Sequence, residues 1–247
     1  MIIVISQPML FPWTGMLSQV RAADVFVHYS DVQFSKGSFV NRVQIKTARG
    51  IKWLTVPLQG LRLGQHINEV RINNDRNWRQ EHLRLLSDAY ADAPHVDEML
   101  KLVESVYNRH EYENVGDLSE ASLMALSKYY KLDSGRIFKS SETLGINGFS
   151  SRRVLDIVLA LGGDMYVTGH GASRYLDHEA FEQAGVRVEY MDYMNVPYPQ
   201  LHGEFTPYVS ALDLIANTGL RGIDCICHRS IYWRDFLSGK RDRKISD

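Results

Sequence analysis

Apolar residues change their spacing three times along this chain. Met1 to Ser6 is a short, nearly unbroken apolar run, the pattern of a strand buried on both faces of a parallel sheet. Behind it Met16, Leu17, Val20 and Ala23 recur at helical spacing, with Thr14 placed to cap the helix. Asp24 to Ser30 alternates as a second strand. The first thirty residues therefore spell strand, turn, helix, strand, which is a βαβ unit.

The next stretch is β-rich. FVNRVQIKTARGIKWLTVPL holds two strand-like runs joined by Ala48-Arg49-Gly50, a hairpin, and Ile67 to Asn73 reads as another short strand. From Trp78 the period turns helical through three segments: WRQEHLRLLSDAYADAP, which stops at Pro94, then HVDEMLKLVESVYN, then DLSEASLMALSKYYKL. Asp117 with Glu120 three residues on forms a capping box for the last of these.

The final third returns to alternation. A helix SRRVLDIVLALGG, capped by Ser150 or Ser151 and ended by Gly162-Gly163, leads to a strand DMYVTG. A largely helical GASRYLDHEAFEQAG, a strand VRVEYMDY and a helix SALDLIANTG follow. No repeat, low-complexity tract or linker interrupts the chain. The prediction is one α/β domain over residues 1–247 with a mostly parallel, doubly wound sheet, a β-hairpin excursion and a helical insertion over 75–135.

Composition narrows the classes of function. A chain of 247 residues with 45% hydrophobic and 23% charged residues can bury a substantial core. Its net charge of -1 gives no global field for nucleic acid or an anionic membrane. No run approaches the roughly 18 apolar residues of a spanning helix, so a cytoplasmic protein without membrane insertion is expected. Cys225 and Cys227 are one residue apart, poor geometry for a disulfide. The CICHR run also lacks zinc-site spacing, and nothing sets a base beside either thiol, so neither a metal nor a cysteine nucleophile is predicted.

Four stretches carry candidate chemistry. SQPMLFPWTGML lies at the end of the first strand and before a helix N-terminus, where open α/β sheets bind ligands. There Gln7 and Trp13 would touch a ligand and Gly15 would admit it; the competing reading is a rigid connection that covers the core. SDVQFSKGSFVNRVQIK sets Asp31, Gln33, Lys36, Asn41, Arg42 and Lys46 in and near the hairpin, a donor-rich surface suited to phosphate or carboxylate, or simply a solvated hairpin face. Asn41 and Arg42 are adjacent and would point to opposite faces.

YVTGHGASRYLDH ends a strand and flanks His170 with Gly169 and Gly171, followed by Ser173 and Arg174. That set of groups suits an anion cradle with an imidazole base, or a tight turn with a surface histidine. The long aromatic loop DYMNVPYPQLHGEFTPYVSALD holds Tyr198 and Gln200, suited to stacking on a sugar or base and hydrogen bonding to it.

These runs together, from SQPMLFPWTGML to YPQLHGEFTPYVSALDLIANTG, resemble the WbqC-like family, whose Q-P-x-x-x-P-W and N-R motifs are specific in combination. The resemblance covers nearly the whole chain and implies a role in O-antigen or related surface-polysaccharide biosynthesis. It also implies an aspartate pair at the second strand end, where this chain has Ser30-Asp31. The layout is similar to nucleotide-binding, nucleotidyltransferase-like α/β folds, although the first turn lacks the histidines those enzymes bring to ATP.

The expected activity is amide formation on the amino group of a nucleotide-linked deoxyamino sugar. The acyl or aminoacyl donor would be a small molecule or tRNA-borne, with ATP disfavoured. His170, Gln7 and Asp31 would carry the chemistry and the remaining candidates would bind substrate. An adenylating ligase or nucleotidyltransferase, and a non-catalytic sugar-nucleotide binding protein, are the alternatives.

Overall fold

In the computed structural model, which describes residues 1–245, six strands form the central sheet. They are β1 (Ile2–Ser6), β2 (Val25–His28), β7 (Ile137–Ser140), β8 (Met165–Thr168), β9 (Arg187–Met191) and β10 (Ser230–Tyr232). The spatial order is β10-β9-β8-β1-β2-β7, parallel throughout except for β10, which runs antiparallel to β9. From β1 the chain first moves outward through β2 to β7. It then crosses to the other side of β1 and moves outward again through β8 and β9, so the winding reverses between β1 and β8. That is where an open α/β sheet leaves a crevice.

Alternation along the strands sorts the core into two layers. Ile3, Ile5, Val25 and Val27 face Val154, Ile157 and Val158 of helix α5 (Ser150–Ala160). Val4 and Phe26, one position out of phase, face Met16, Leu17 and Val20 of α1 (Thr14–Ala22). Helices on both faces make the sheet doubly wound, as predicted.

The hairpin forms as β3 (Arg42–Thr47) and β4 (Gly50–Thr55), with Gly50 at φ 95 closing the turn. Where a strand was expected over Ile67–Asn73, the chain instead makes one 3₁₀ turn and β6 (Arg71–Ile72), which pairs with β5 (Leu58–Gln59). Helices α2 (Trp78–Ala89), α3 (Val96–Tyr107) and α4 (Val115–Tyr129) follow in sequence and pack with α1 and the hairpin in one apolar cluster. Two further helices, α6 (His178–Gln183) and α7 (Ala211–Thr218), flank β9, and α8 (Trp233–Ile245) closes the chain.

Three caps differ from the expectation. Trp13 rather than Thr14 precedes α1, and Phe149 rather than Ser150 precedes α5, in each case without a side-chain cap. The cap of α4 is Asn114, whose side-chain Oδ1 accepts from the Asp117 backbone amide at 2.9 Å. Asp117 is therefore the third helical residue, and the capping-box reading was displaced by three positions.

The first turn is as stiff as its two prolines suggest. Phe11 sits at φ 35, left-handed space that a bulky side chain seldom enters. Its amide donates to Ser122 Oγ at 2.8 Å, its carbonyl accepts from Ser210 Oγ at 2.6 Å, and its ring is fully buried. The strain is over-determined by contacts from α4 and from the start of α7.

Candidate functional site

A cleft of about 800 Å³ opens at the carboxyl ends of β1, β2 and β8, at the point where the winding reverses. Ser6 and Gln7 bring in the end of β1, Tyr29 and Asp31 the end of β2, and Thr168 and Gly169 the end of β8. Asn147 to Ser150 and Arg153 close it from the start of α5, and Gln33 and His66, paired in an isolated bridge, from the segments before and after the hairpin. Ser150 has φ 54, an uncommon conformation held at the first turn of α5, inside the cleft.

One ion pair anchors the floor. Arg153 donates through Nη2 to Asp31 Oδ2 and through Nε to the Ile146 carbonyl at 2.9 Å, and its guanidinium lies 5.0 Å from the Tyr29 ring centroid. Ser141 Oγ also donates to Asp31. Burial pushes the Asp31 carboxyl up, but the hydrogen bonds from Arg153 and Ser141 and the guanidinium charge outweigh it and hold the carboxyl below its usual range. Asp31 is thus a fixed anion, poorly suited to take a proton. Its role is to hold Arg153, whose side chain is only 7% exposed.

The rest of the lining is amide, hydroxyl and aromatic. Ser6 Oγ donates to Gln19 Oε1 at 2.7 Å, and Gln19 Nε2 donates to the Tyr193 hydroxyl at 2.8 Å. Arg153 is the single lysine or arginine, and Asp31 the single carboxylate, among the lining residues. Their charges cancel. The cleft therefore offers hydrogen bonds and ring faces with little net charge, a surface that suits a polyhydroxylated ligand more than a polyanion.

Of the predicted site residues, Gln7, Asp31, Gln33 and Gly169 line this cleft. A side chain on Gly169 would press on the Tyr193 hydroxyl, so glycine there keeps the β8 turn close to Gln19 and Tyr193. The imidazole of His170 is not part of the lining. Its Nε2 is 2.7 Å from the Met191 carbonyl and its ring packs with Tyr193 and Phe236, on the far side of the turn. Ser173 donates to the His170 carbonyl at 2.8 Å, and Arg174 is exposed outside the lining. The histidine that borders the cleft is His66.

Several other candidates are engaged elsewhere. Gly15 makes room for a side chain of the protein itself: a Cβ there would overlap the Trp13 indole, which packs on Tyr193 at 4.9 Å. Asn41 is buried and donates to the Val56 carbonyl at 3.1 Å. Arg42 donates to the Gly37 carbonyl at 2.6 Å and lies 4.2 Å over the Trp53 ring, and Lys36 is exposed beside it. Arg42 and Arg174 therefore do not converge on one cleft.

Lys46, Tyr198 and Gln200 belong to a closed polar network. Lys46 Nζ donates to Gln200 Oε1 at 2.9 Å and to the carbonyls of Gly203 and Glu204. Asp213, fully buried, accepts from Tyr90 at 2.9 Å and from Tyr198 and Gln200 at 2.8 Å each. Every partner is internal, so these groups hold the 192–210 loop to the hairpin and to α7.

Arg153 was missed, though its signal was present. It falls one turn before Ile157 on the apolar stripe of α5, and a charge on a buried stripe implies a buried partner. Ser30, where an aspartate pair was expected, donates to Glu142 at 2.9 Å and does not line the cleft.

The fold and this crevice define a doubly wound α/β protein with an open cleft at its switch point. The family model described as the WbqC-like protein family matches residues 7–225, and the chain belongs to that family. It is 32% identical over 224 residues to Rv1507c of Mycobacterium tuberculosis (strain ATCC 25618 / H37Rv), a protein itself described as uncharacterized, covering 90% of this chain and 96% of that one. No solved structure matches. Among the described residues no helix is long and apolar enough to cross a membrane.

Proposed function

We propose that this protein is a transferase of surface-polysaccharide biosynthesis, acting in the cytoplasm, that forms an amide on the amino group of a nucleotide-linked deoxyamino sugar. The observation that carries this reading is the charge balance of the cleft: a single cation, already paired with Asp31, among amides, hydroxyls and tyrosines. A sugar ring uses such a lining fully, through hydrogen bonds to its hydroxyls and apolar contact with Tyr29 and Tyr175. A triphosphate would need cations that the lining lacks. The start of α5 supplies amides for one phosphate of the nucleotide.

In the reaction the sugar amine attacks the carbonyl carbon of an activated acyl or aminoacyl donor. The new C–N bond replaces the bond from that carbon to the donor's leaving group. His66, the histidine that borders the cleft, takes the proton lost by the nitrogen and returns it to the departing group. Gln7, which lines the cleft at the end of β1, donates its side-chain amide to the carbonyl oxygen in this reading.

The test is incubation with amino-sugar nucleotides and activated donors, read by mass spectrometry. The expected product gains one acyl group in place of one hydrogen. His66→Ala lowers the rate by about 10² to 10⁴, whereas His170→Ala leaves it near wild type. Pyrophosphate release from ATP would move the protein to the adenylating class, and tight sugar-nucleotide binding with no product under any pairing would make it a binding protein.

A further inference from the structure

A second, smaller pocket of about 190 Å³ lies one loop away from the cleft, lined by Met9, Trp13, Phe39, Val43, Tyr208 and Val209. Val43 and Val209 are buried at its floor, while Phe39 (41% exposed) and Tyr208 (62% exposed) stand at its mouth. Only the indole nitrogen and the Tyr208 hydroxyl carry a polar side-chain hydrogen, so whatever enters is held by apolar contact. Its wall is rigid, because Trp13 is wedged between Gly15, which leaves no room for a Cβ, and the ring of Tyr193. An apolar hole of about 150 Å³ stays dry and accepts a benzene-sized group.

The pocket and the cleft share a partition. Gln19 lines the cleft and bonds Tyr193, whose ring packs on Trp13, and Trp13 lines the pocket. Over the rim the distance is short: Gln7 borders the cleft and Met9 the pocket, and two residues span at most about 7 Å. Beside Phe39 the surface turns cationic. Phe39 packs on Trp53 at 5.6 Å and the Arg42 guanidinium covers that indole, while exposed Lys36 adjoins Gly37, whose carbonyl accepts from Arg42.

We infer that this pocket receives the apolar end of the acyl donor, a chain of about six carbons by comparison with a benzene-sized cavity, carried as a thioester on a phosphate-bearing arm. The chain sits between Phe39 and Tyr208, the phosphate lies toward Lys36 and Arg42, and the thioester carbonyl emerges at Met9 and faces Gln7. The inference rests on the acyl-transfer reading for its biological meaning but makes a binding claim of its own.

Binding of acetyl-, butyryl-, hexanoyl- and decanoyl-coenzyme A, with free coenzyme A as reference, tests it by calorimetry. Affinity should rise toward about fourfold per added methylene as far as hexanoyl and gain nothing beyond. Tyr208→Ala and Phe39→Ala, both at exposed positions, should weaken hexanoyl-coenzyme A about tenfold and free coenzyme A far less. Val209→Phe, which fills the floor, should abolish the chain-length dependence. Affinity independent of chain length, or rim variants that bind hexanoyl-coenzyme A as tightly as wild type, would overturn the assignment. Chain-selective binding without any amide product leaves the pocket standing and removes the transferase reading. Amide formation from aminoacyl donors by wild-type protein that binds no member of the acyl series does the reverse.

Discussion

The cleft at the end of β1 and the polar knot around Asp213 are built from the same kinds of side chain, yet only one of them has anything left to offer a ligand. Around Asp213 each carboxylate oxygen is taken by a tyrosine, a glutamine or an asparagine, and Lys46 spends its ammonium on three internal oxygens. In the cleft the ion pair of Asp31 and Arg153 is likewise satisfied. Around it, however, Gln7, Gln33, His66 and Asn147 face solvent. Satisfaction of hydrogen bonds, rather than polarity, separates a structural cluster from a binding one.

Substitutions can break this contrast, and the largest effect belongs to the knot. Asp213→Ala removes the common acceptor of Tyr90, Tyr198 and Gln200 and leaves the buried Lys46 without its counter-charge. The expected loss is about 3 to 5 kcal/mol in urea unfolding, and ligand affinity in the material that remains folded should be unchanged. A loss below about 1 kcal/mol would mean that the knot is solvated after all.

Gly15→Ala comes next. The added methyl must displace the Trp13 indole, with an expected cost of about 1 to 3 kcal/mol and an altered near-ultraviolet circular dichroism signal from Trp13. A stable variant with an unchanged aromatic signal would show that the glycine is there for something other than the indole.

The ion pair of the cleft has a pH signature. The folded-state carboxyl of Asp31 is lower than its ordinary value of 3.8, so its stabilisation is fully present above that value and is lost as pH falls through the lower folded one. Arg153 stays charged throughout. Acid unfolding of Asp31→Asn should therefore lack this part of the pH dependence, and an acid limb identical to wild type would remove the pair from the account.

The smallest stability effect falls on the cleft-lining amides. Gln7→Ala and Gln33→Ala, both exposed, should shift stability by less than about 0.5 kcal/mol while weakening a sugar-nucleotide ligand up to about tenfold each. Unchanged affinity in both would place the ligand outside this cleft.

Much of the scaffold was legible beforehand because local chemistry dictates it. The apolar run of β1, the helical period of α1, the Ala48-Arg49-Gly50 turn and the three successive helices all follow from spacing and turn residues within a few positions. Strands β7 and β10 escaped. IFKS lies at one edge of the sheet with alternate residues exposed, and SIY has only three residues, too few for a period to show. Helix α8 escaped as well, its first turn lying next to that unread strand.

By itself the sequence determined a doubly wound α/β chain with a candidate site at the first strand end, since hydrophobic period and turn composition are properties of neighbouring residues. Only the tertiary structure decided which polar residues share that end. It brought Arg153 and His66 to Gln7 and Asp31, turned His170 toward Met191, and buried Lys46, Tyr198 and Gln200 around Asp213. Several of those choices depend on contacts between residues more than a hundred positions apart, such as Asp31 with Arg153 or Lys46 with Gln200. The local pattern that sets a strand or a helix carries no record of such partners.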